Sequence, residues 1–421
     1  MNILVVGSGG REHAIIKKLR ESSQIDKIYA LPGNAGFKKD AECVEIEATD
    51  IEGVVSFAKN HKVDFTVVAP DDPLVMGMVD SLEEIGVPCF GPTKDAAIIE
   101  GSKAFSKELM KKYDIPTAEY EIFNKAEDAI KYVKEKGTPI VVKADGLAKG
   151  KGVLIAETED EAVSAIKTIM EDKKFGESGN TVVVEEFLTG PEVSVLSFTD
   201  GKTLIPMVSS MDHKRALDGD RGLNTGGMGT VAPNPYYTPE IADLCMKKIF
   251  VPTLNAMNDE GRTFKGCLYF GLMLTKRGPK VIEYNCRFGD PETQVVLPLL
   301  KSDLFTIMQN VRYGRLMKED VEFSKGAACC VVMASEGYPG TCKTGKKIDI
   351  KDEDNIFFAG VGENSDGELV TAGGRVLGVT ATAETLCKAI KAAYRKVGTI
   401  HFDGAQYRKD IGQRALKALE D

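Results

Sequence analysis

The sequence predicts an α/β protein of several domains, and three observations predict it. The chain has 421 residues, more than one hydrophobic core organises at roughly 100 to 200 residues per domain. Apolar strand-like runs alternate with amphipathic helical runs over the first hundred residues, the pattern of a parallel, doubly wound sheet. Glycines cluster at 7 to 10, 146 to 152, 219 to 229 and 360 to 374, where backbone can approach a ligand closely.

The opening stretch MNILVVGSGGREHAIIKKLRESSQIDKIYALPGNAG reads strand, glycine turn, helix, strand, turn. Strand-like runs at 65 to 68 and 87 to 90 end in Pro70 and Gly91-Pro92 and complete a parallel α/β unit over 1 to 102. A helix from 102 to 113 and a linker broken by Pro116 (103 to 120 together) lead to a smaller unit, 121 to 190, where TPIVVKADG and NTVVVEEFLTG are apolar strands bracketing a helix near 160 to 171. A central unit, 191 to 326, carries the glycine-rich loop 218 to 229, an apolar helix near 240 to 258 and a strand pair at 268 to 274 and 280 to 285. The rest, 327 to 421, reads as a strand-rich unit with a helix near 383 to 396.

Composition narrows the partners. A net charge of −9 argues against an extended basic face for nucleic acid, so any anion site is local and the partners are small molecules. Nine cysteines without a C-x-x-C pair, with Cys329 and Cys330 adjacent, suit reduced thiols in a cytoplasmic chain. Neither a leader pattern nor a run of roughly 18 apolar residues is present, so no membrane partner is expected.

Gly7-Ser8-Gly9-Gly10 sits between an apolar strand and a helix, presenting backbone N–H groups to an anion or sugar. A dinucleotide fingerprint would need a third glycine where Glu12 stands and an acid after the second strand, where Pro32-Gly33-Asn34 follows instead; both requirements fail. Lys143 ends the apolar run 139 to 142, where an ammonium needs an anionic partner. The following loop, 146 to 152, combines three glycines with Lys149 and Lys151. It can fold over phosphates without being a Walker loop. Downstream, Glu185, Glu186, Phe187, Leu188 and Glu192 offer a purine edge backbone partners, apolar walls and a carboxylate for ribose.

The stretch VIEYNCRFGDPETQ, 281 to 294, begins as a strand and then fills with polar groups. Residues two apart share a strand face, so Glu283 and Asn285 present two oxygens side by side. Mg²⁺ takes few protein oxygens and completes its octahedron with water and phosphates, so the pair suits a metal on ATP. Arg287 can grip a carboxylate or an acyl phosphate.

Together with Lys143, the loop 146 to 152 and EEFLTGPE, this strand resembles the ATP-grasp ligases. GSGGREHA (7 to 14), GPTKDAAIIEGSKAFSK (91 to 107), DHKR (212 to 215), NTGGMG (224 to 229) and EYNCRFGDPETQ (283 to 294) resemble the phosphoribosylamine–glycine ligase (glycinamide ribonucleotide synthetase) family over essentially the whole chain. The resemblance implies an N-terminal parallel-sheet (pre-ATP-grasp) domain, a two-part ATP-grasp core with a mobile lid, and a strand-rich C-terminal domain. It implies ATP-dependent ligation of glycine to 5-phosphoribosylamine through a glycyl phosphate, the second step of purine synthesis, with another ATP-grasp carboxylate–amine ligase as the alternative.

On the same resemblance, ATP is a cosubstrate held by Lys103, Lys143, Gly150, Lys151, Glu185, Glu186, Phe187, Leu188, Glu192 and Leu272. Mg²⁺ or Mn²⁺ sits on Glu283 and Asn285, and Arg287 and Lys143 are the catalytic pair. Gly9, Gly10, Asn34, Asp212, Thr225, Gly226, Arg287 and Arg375 bind the other substrates, Asp212 taking the glycine ammonium and Arg375 the 5′-phosphate. A monofunctional monomer with transient contacts to neighbouring pathway enzymes is expected. Two departures stand out: Asp71 where the family has glutamate, and Arg221 and Leu223 in the loop 216 to 223, where small residues or proline are commoner.

Overall fold

The computed structural model describes residues 1–148 and 152–420. The loop residues Lys149, Gly150 and Lys151 named above lie outside the described residues.

The N-terminal sheet is parallel, in the spatial order Glu42–Cys43, Lys27–Pro32, Asn2–Gly7, Phe65–Val68, Cys89–Phe90. Its central strands, Asn2–Gly7 and Phe65–Val68, are buried on both faces, as apolar runs between covering helices require. The order reverses beside Asn2–Gly7, so the loops after that strand and after Phe65–Val68 flank the crevice where such sheets bind ligands. Helix Gly10–Leu19 starts there, its first turn closed by Glu12, whose Oε2 accepts the Gly9 N–H at 2.6 Å.

Helix Lys103–Lys112 begins at Ser102, whose hydroxyl accepts the Phe105 N–H at 3.0 Å. It leads to an antiparallel sheet ordered Tyr120–Phe123, Val182–Glu186, Ile140–Ala144, Val153–Ala156. Helices Ala126–Lys136 and Glu159–Met170 bury one side of it in a separate small core. We call this unit the lid. A second antiparallel sheet, Leu204–Pro206, Glu192–Thr199, Gly266–Thr275, Gly278–Asn285, forms the platform beneath it.

One β-bulge in the platform aims the site. Gly271 pairs with Glu283 and Leu272 with Val281, leaving Ile282 without a cross-strand partner. Strict alternation would put Val281 on the same face as Glu283 and Asn285. The extra residue lets Val281 and Tyr284, three apart, both enter the core, while Ile282, Glu283 and Asn285 reach the cavity described below.

The expected cut between 326 and 327 runs through a sheet. Ala327–Ala334 pairs with Gly229–Ala232, which pairs with Met211–Asp212, while Arg375–Ala383 and Ile356–Phe358 complete the other side. Strands from the segment carrying DHKR and NTGGMG therefore belong to the same sheet as the C-terminal strands. The loops that follow them are held between the platform and the chain's last third.

Candidate active site

A cavity of about 770 Å³ lies where the lid, the platform, the helix Lys103–Lys112 and the sheet carrying Met211–Asp212 meet. Its lining includes Lys103, Lys143, Glu185, Glu186, Phe187, Leu188, Glu192, Asp212, Thr225, Gly226, Glu283, Asn285, Arg287 and Arg375. Its lining runs from Arg11 to Arg414, residues 403 positions apart brought to one wall system, which only the tertiary fold can do.

Lys143 is buried, with its ammonium 2.9 Å from Glu185 Oε1 and donating to the Ile282 carbonyl at 3.1 Å. Lys103 donates to the Gly146 carbonyl at 2.7 Å, at the root of the lid loop. Burial lowers its ammonium pKa, and Glu283 opposes that. Lys214 reaches Glu192 at 3.2 Å and Glu283 at 3.9 Å. Its charge is held on mainly by Glu192, against burial.

Burial alone would raise the Glu283 carboxyl, but Lys214, followed by Lys143, Lys103 and Arg287, outweighs it and keeps the pKa below the ordinary value. Asn285 Oδ1 accepts from Arg287 Nη2 at 2.9 Å. One ionised carboxylate and one carboxamide oxygen therefore face the cavity from the same edge strand. Among the described residues no three His, Cys, Asp or Glu side chains gather into a metal cage. The donor set fits a hard divalent cation that draws its remaining ligands from phosphates and water.

Arg287 is gripped by carboxylates, with Nη2 2.9 Å from Glu100 Oε1 and 3.8 Å from Asp71 Oδ2. Its buried Nε has no hydrogen-bond partner. Asp71 thus reaches this cluster. Asp212 accepts the His213 N–H at 2.7 Å. Burial, then the nearby Glu292 carboxylate, push its carboxyl well above the ordinary range.

Some expected residues stand elsewhere or are already engaged. Leu272 is wholly buried in the core, and its neighbour Met273 faces the cavity instead. Glu186 is ion-paired to Lys280 at 2.5 Å and Arg277 at 3.4 Å. Gly9, Gly10 and Asn34 are outside the lining, and Asn34 Nδ2 donates to the Ser8 and Ala359 carbonyls at 2.8 and 2.9 Å. Gly9 and Arg375 nevertheless converge on Asp290. Arg375 Nη2 is 3.0 Å from Asp290 Oδ2, and a Cβ on Gly9 would stand 3.5 Å from the same oxygen. Arg375 also donates to the Gly226 carbonyl at 2.7 Å.

Sequence reading passed over Lys107, Lys214, Glu100 and Tyr269, all of which line the cavity. Lys107 was readable in part, since it lies four positions after Lys103 on one helix and so shares its face. Nothing local marks Glu100 or Tyr269.

The fold and this site define an ATP-grasp enzyme. Residues 101–293 match the phosphoribosylglycinamide synthetase ATP-grasp (A) domain, residues 1–100 the N domain and residues 328–414 the C domain of the same family. The chain belongs to the phosphoribosylglycinamide synthetase family. It is 47% identical over 415 residues to the phosphoribosylamine–glycine ligase of Caldanaerobacter subterraneus, covering 98% of this chain and 99% of that one. To the enzyme of that name from Haemophilus influenzae it is 48% identical over 426 residues, with 99% of each covered. The crystal structure of phosphoribosylamine–glycine ligase from Thermotoga maritima superposes with a TM-score of 0.86 at 36% identity, covering 98% of this chain and 100% of that one.

Proposed function

We propose that the chain joins glycine to 5-phosphoribosylamine, converting ATP to ADP and phosphate and forming glycinamide ribonucleotide. The observation that carries this reading, beside the family relationship, is the convergence of Lys103, Lys143, Lys214 and Arg287 with Glu283 and Asn285 on one cavity. That is a set for anionic substrates that must approach one another.

A carboxylate does not acylate an amine at neutral pH without a leaving group. The glycine carboxylate attacks the γ-phosphorus of ATP, the bond to the β-phosphate oxygen breaks, and ADP leaves. The amine of phosphoribosylamine then attacks the glycyl carbonyl carbon, expelling phosphate and losing a proton. A divalent cation on Glu283 and Asn285, Mg²⁺ or Mn²⁺, would offset phosphate charge and stabilise the transferring group. Lys143 and Lys103 hold the phosphates, Lys143 from the lid and Lys103 beneath the lid loop. Phe187 and Leu188 wall the base, and Glu192 takes the ribose. Arg287 orients the glycine carboxylate and Asp212 its ammonium, beside Thr225 and Gly226. Arg375, with the Gly9-Gly10 turn, takes the 5′-phosphate. The loop 146 to 152 excludes water from the acyl phosphate.

We further read the chain as a cytoplasmic monomer. The nine cysteines are all unpaired, and no described helix is long and apolar enough to cross a membrane.

Product analysis with ATP, labelled glycine and freshly generated phosphoribosylamine tests the assignment. Label should enter glycinamide ribonucleotide in step with ADP release, and release should require both other substrates. ADP release that ignores glycine but responds to a different carboxylate would transfer the chain to another ATP-grasp activity.

A further inference from the structure

Lys107 has no part in the chemistry described above, yet it is a lysine only 2% exposed, pointing from the helix Lys103–Lys112 into the same cavity wall. Burying an ammonium is costly unless it is paired. Its Nζ lies 3.0 Å from Glu185 Oε2 and donates to Thr117 Oγ1 at 2.8 Å. The Lys143 ammonium lies 2.9 Å from the other oxygen, Oε1, of the same carboxylate, an ion pair in which Oε1 accepts no hydrogen bond. Two cations therefore share one anion.

Both lysines also hang from the bulge that aims Glu283. Thr117, the partner of Lys107, donates to the Val281 carbonyl at 2.7 Å, and Lys143 donates to the next carbonyl, that of Ile282, at 3.1 Å. The Lys107, Glu185 and Lys143 cluster carries a net charge of +1, two ammonium groups less one carboxylate. Without Lys107, Glu185 and Lys143 would neutralise each other, and the cavity would lose a positive charge while Lys143 stayed in place.

We propose that Lys107 is a positioning residue that holds Glu185 away from full pairing with Lys143, so that Lys143 keeps a surplus charge for the terminal phosphates of ATP. The role rests on the ligase reading for its effect on turnover, but its effect on nucleotide affinity does not. The groups that face Lys107 are Glu185, Lys143 and Lys280, with the Tyr120 ring centroid 5.6 Å from its ammonium. Burial, against the pull of Glu185, lowers the Lys107 pKa to about 8. Surplus charge, and with it ATP affinity, should therefore fall as pH rises through that value.

The test is ATP affinity by calorimetry without added metal, with turnover measured separately, in Lys107→Met, Lys107→Arg and the double variant Lys107→Met with Glu185→Gln. Lys107→Met should weaken ATP on the order of tenfold, the scale of one unit charge acting on phosphates roughly 10 Å away through partly buried protein, with the KM for glycine unchanged. Glu185→Gln in that background should restore affinity, because the carboxylate that quenches Lys143 is gone. Lys107→Arg should retain affinity and shift the alkaline decline to higher pH. Double-variant affinity no better than that of Lys107→Met, or a Lys107→Met variant that folds and binds ATP normally, would overturn the proposal. Wild-type protein that binds ATP but does not ligate glycine would overturn the ligase reading and leave the charge-sharing role standing.

Discussion

The Lys214 ammonium lies 3.9 Å from the Glu283 carboxylate and 3.2 Å from Glu192, bridging two platform strands that lie on either side of a third. Glu283 is thereby ionised by its surroundings before any metal arrives. This is the state a hard cation requires of a ligand.

Glu283→Ala should lower ADP release by about two orders of magnitude or more at millimolar Mg²⁺. Adding a chelator to the wild-type protein should do the same. Near-normal release by the variant across a Mg²⁺ titration would remove Glu283 from the metal site.

Arg375→Ala should raise the KM for phosphoribosylamine with little change in that for ATP. Because Arg375 also ties the Gly226 and Asp290 carbonyls, at 2.7 and 3.0 Å, a lower unfolding temperature should accompany the kinetic change. An unchanged phosphoribosylamine KM would leave Arg375 as a structural tie alone.

Gly227 has φ +109°, and an added Cβ would stand 2.4 Å from Pro291 Cδ and 2.7 Å from Asp212 Oδ1. Gly227→Ala should therefore displace the loop from Asp212, at a cost of about 1–3 kcal/mol in stability, and reduce glycine use more than ATP binding. Wild-type kinetics in the variant would show that the loop has room the structure lacks.

His213 is buried and donates or accepts only within the fold, its Nδ1 3.1 Å from the Gly229 carbonyl and its Nε2 accepting the Gly412 N–H at 3.2 Å. Burial, then Arg408, bring its pKa down to about 4. His13, stacked between Phe37 and Phe358, is lowered by burial in the same direction. The unfolded chain takes up protons that these folded imidazoles refuse. Stability is full above about 6.5 and falls with decreasing pH toward the folded values, by on the order of 3 kcal/mol from His213. Thermal melts from pH 7 to 4.5 should show this decline, and His213→Gln should flatten it. A wild-type midpoint that stays constant over that range would contradict the assignment.

Much of the site was legible because its residues lie in strongly patterned segments. Glu283 and Asn285 break an apolar strand, and Lys143 ends one; both patterns signal a strand edge that meets something charged. The pairing partners were less visible. Glu100 and Lys214 are held to Arg287 and Glu283 by contacts across 187 and 69 positions, and no local pattern records such distances. Leu272 was named from the family resemblance alone, and on its strand it turns into the core, leaving Met273 toward the cavity.

Strand and helix periodicity, the glycine turns and the charged strand ends by themselves determined that this is a multidomain α/β chain with strands that end in charge, since those features depend on neighbours in the chain. Tertiary structure alone decided which lysines share which carboxylate, that the C-terminal strands complete a sheet begun at Met211, and that Asp290 pairs with Arg375 beside the first glycine turn. Those outcomes depend on where separate elements come to rest, and electrostatic balance in a buried cavity is a property of that arrangement.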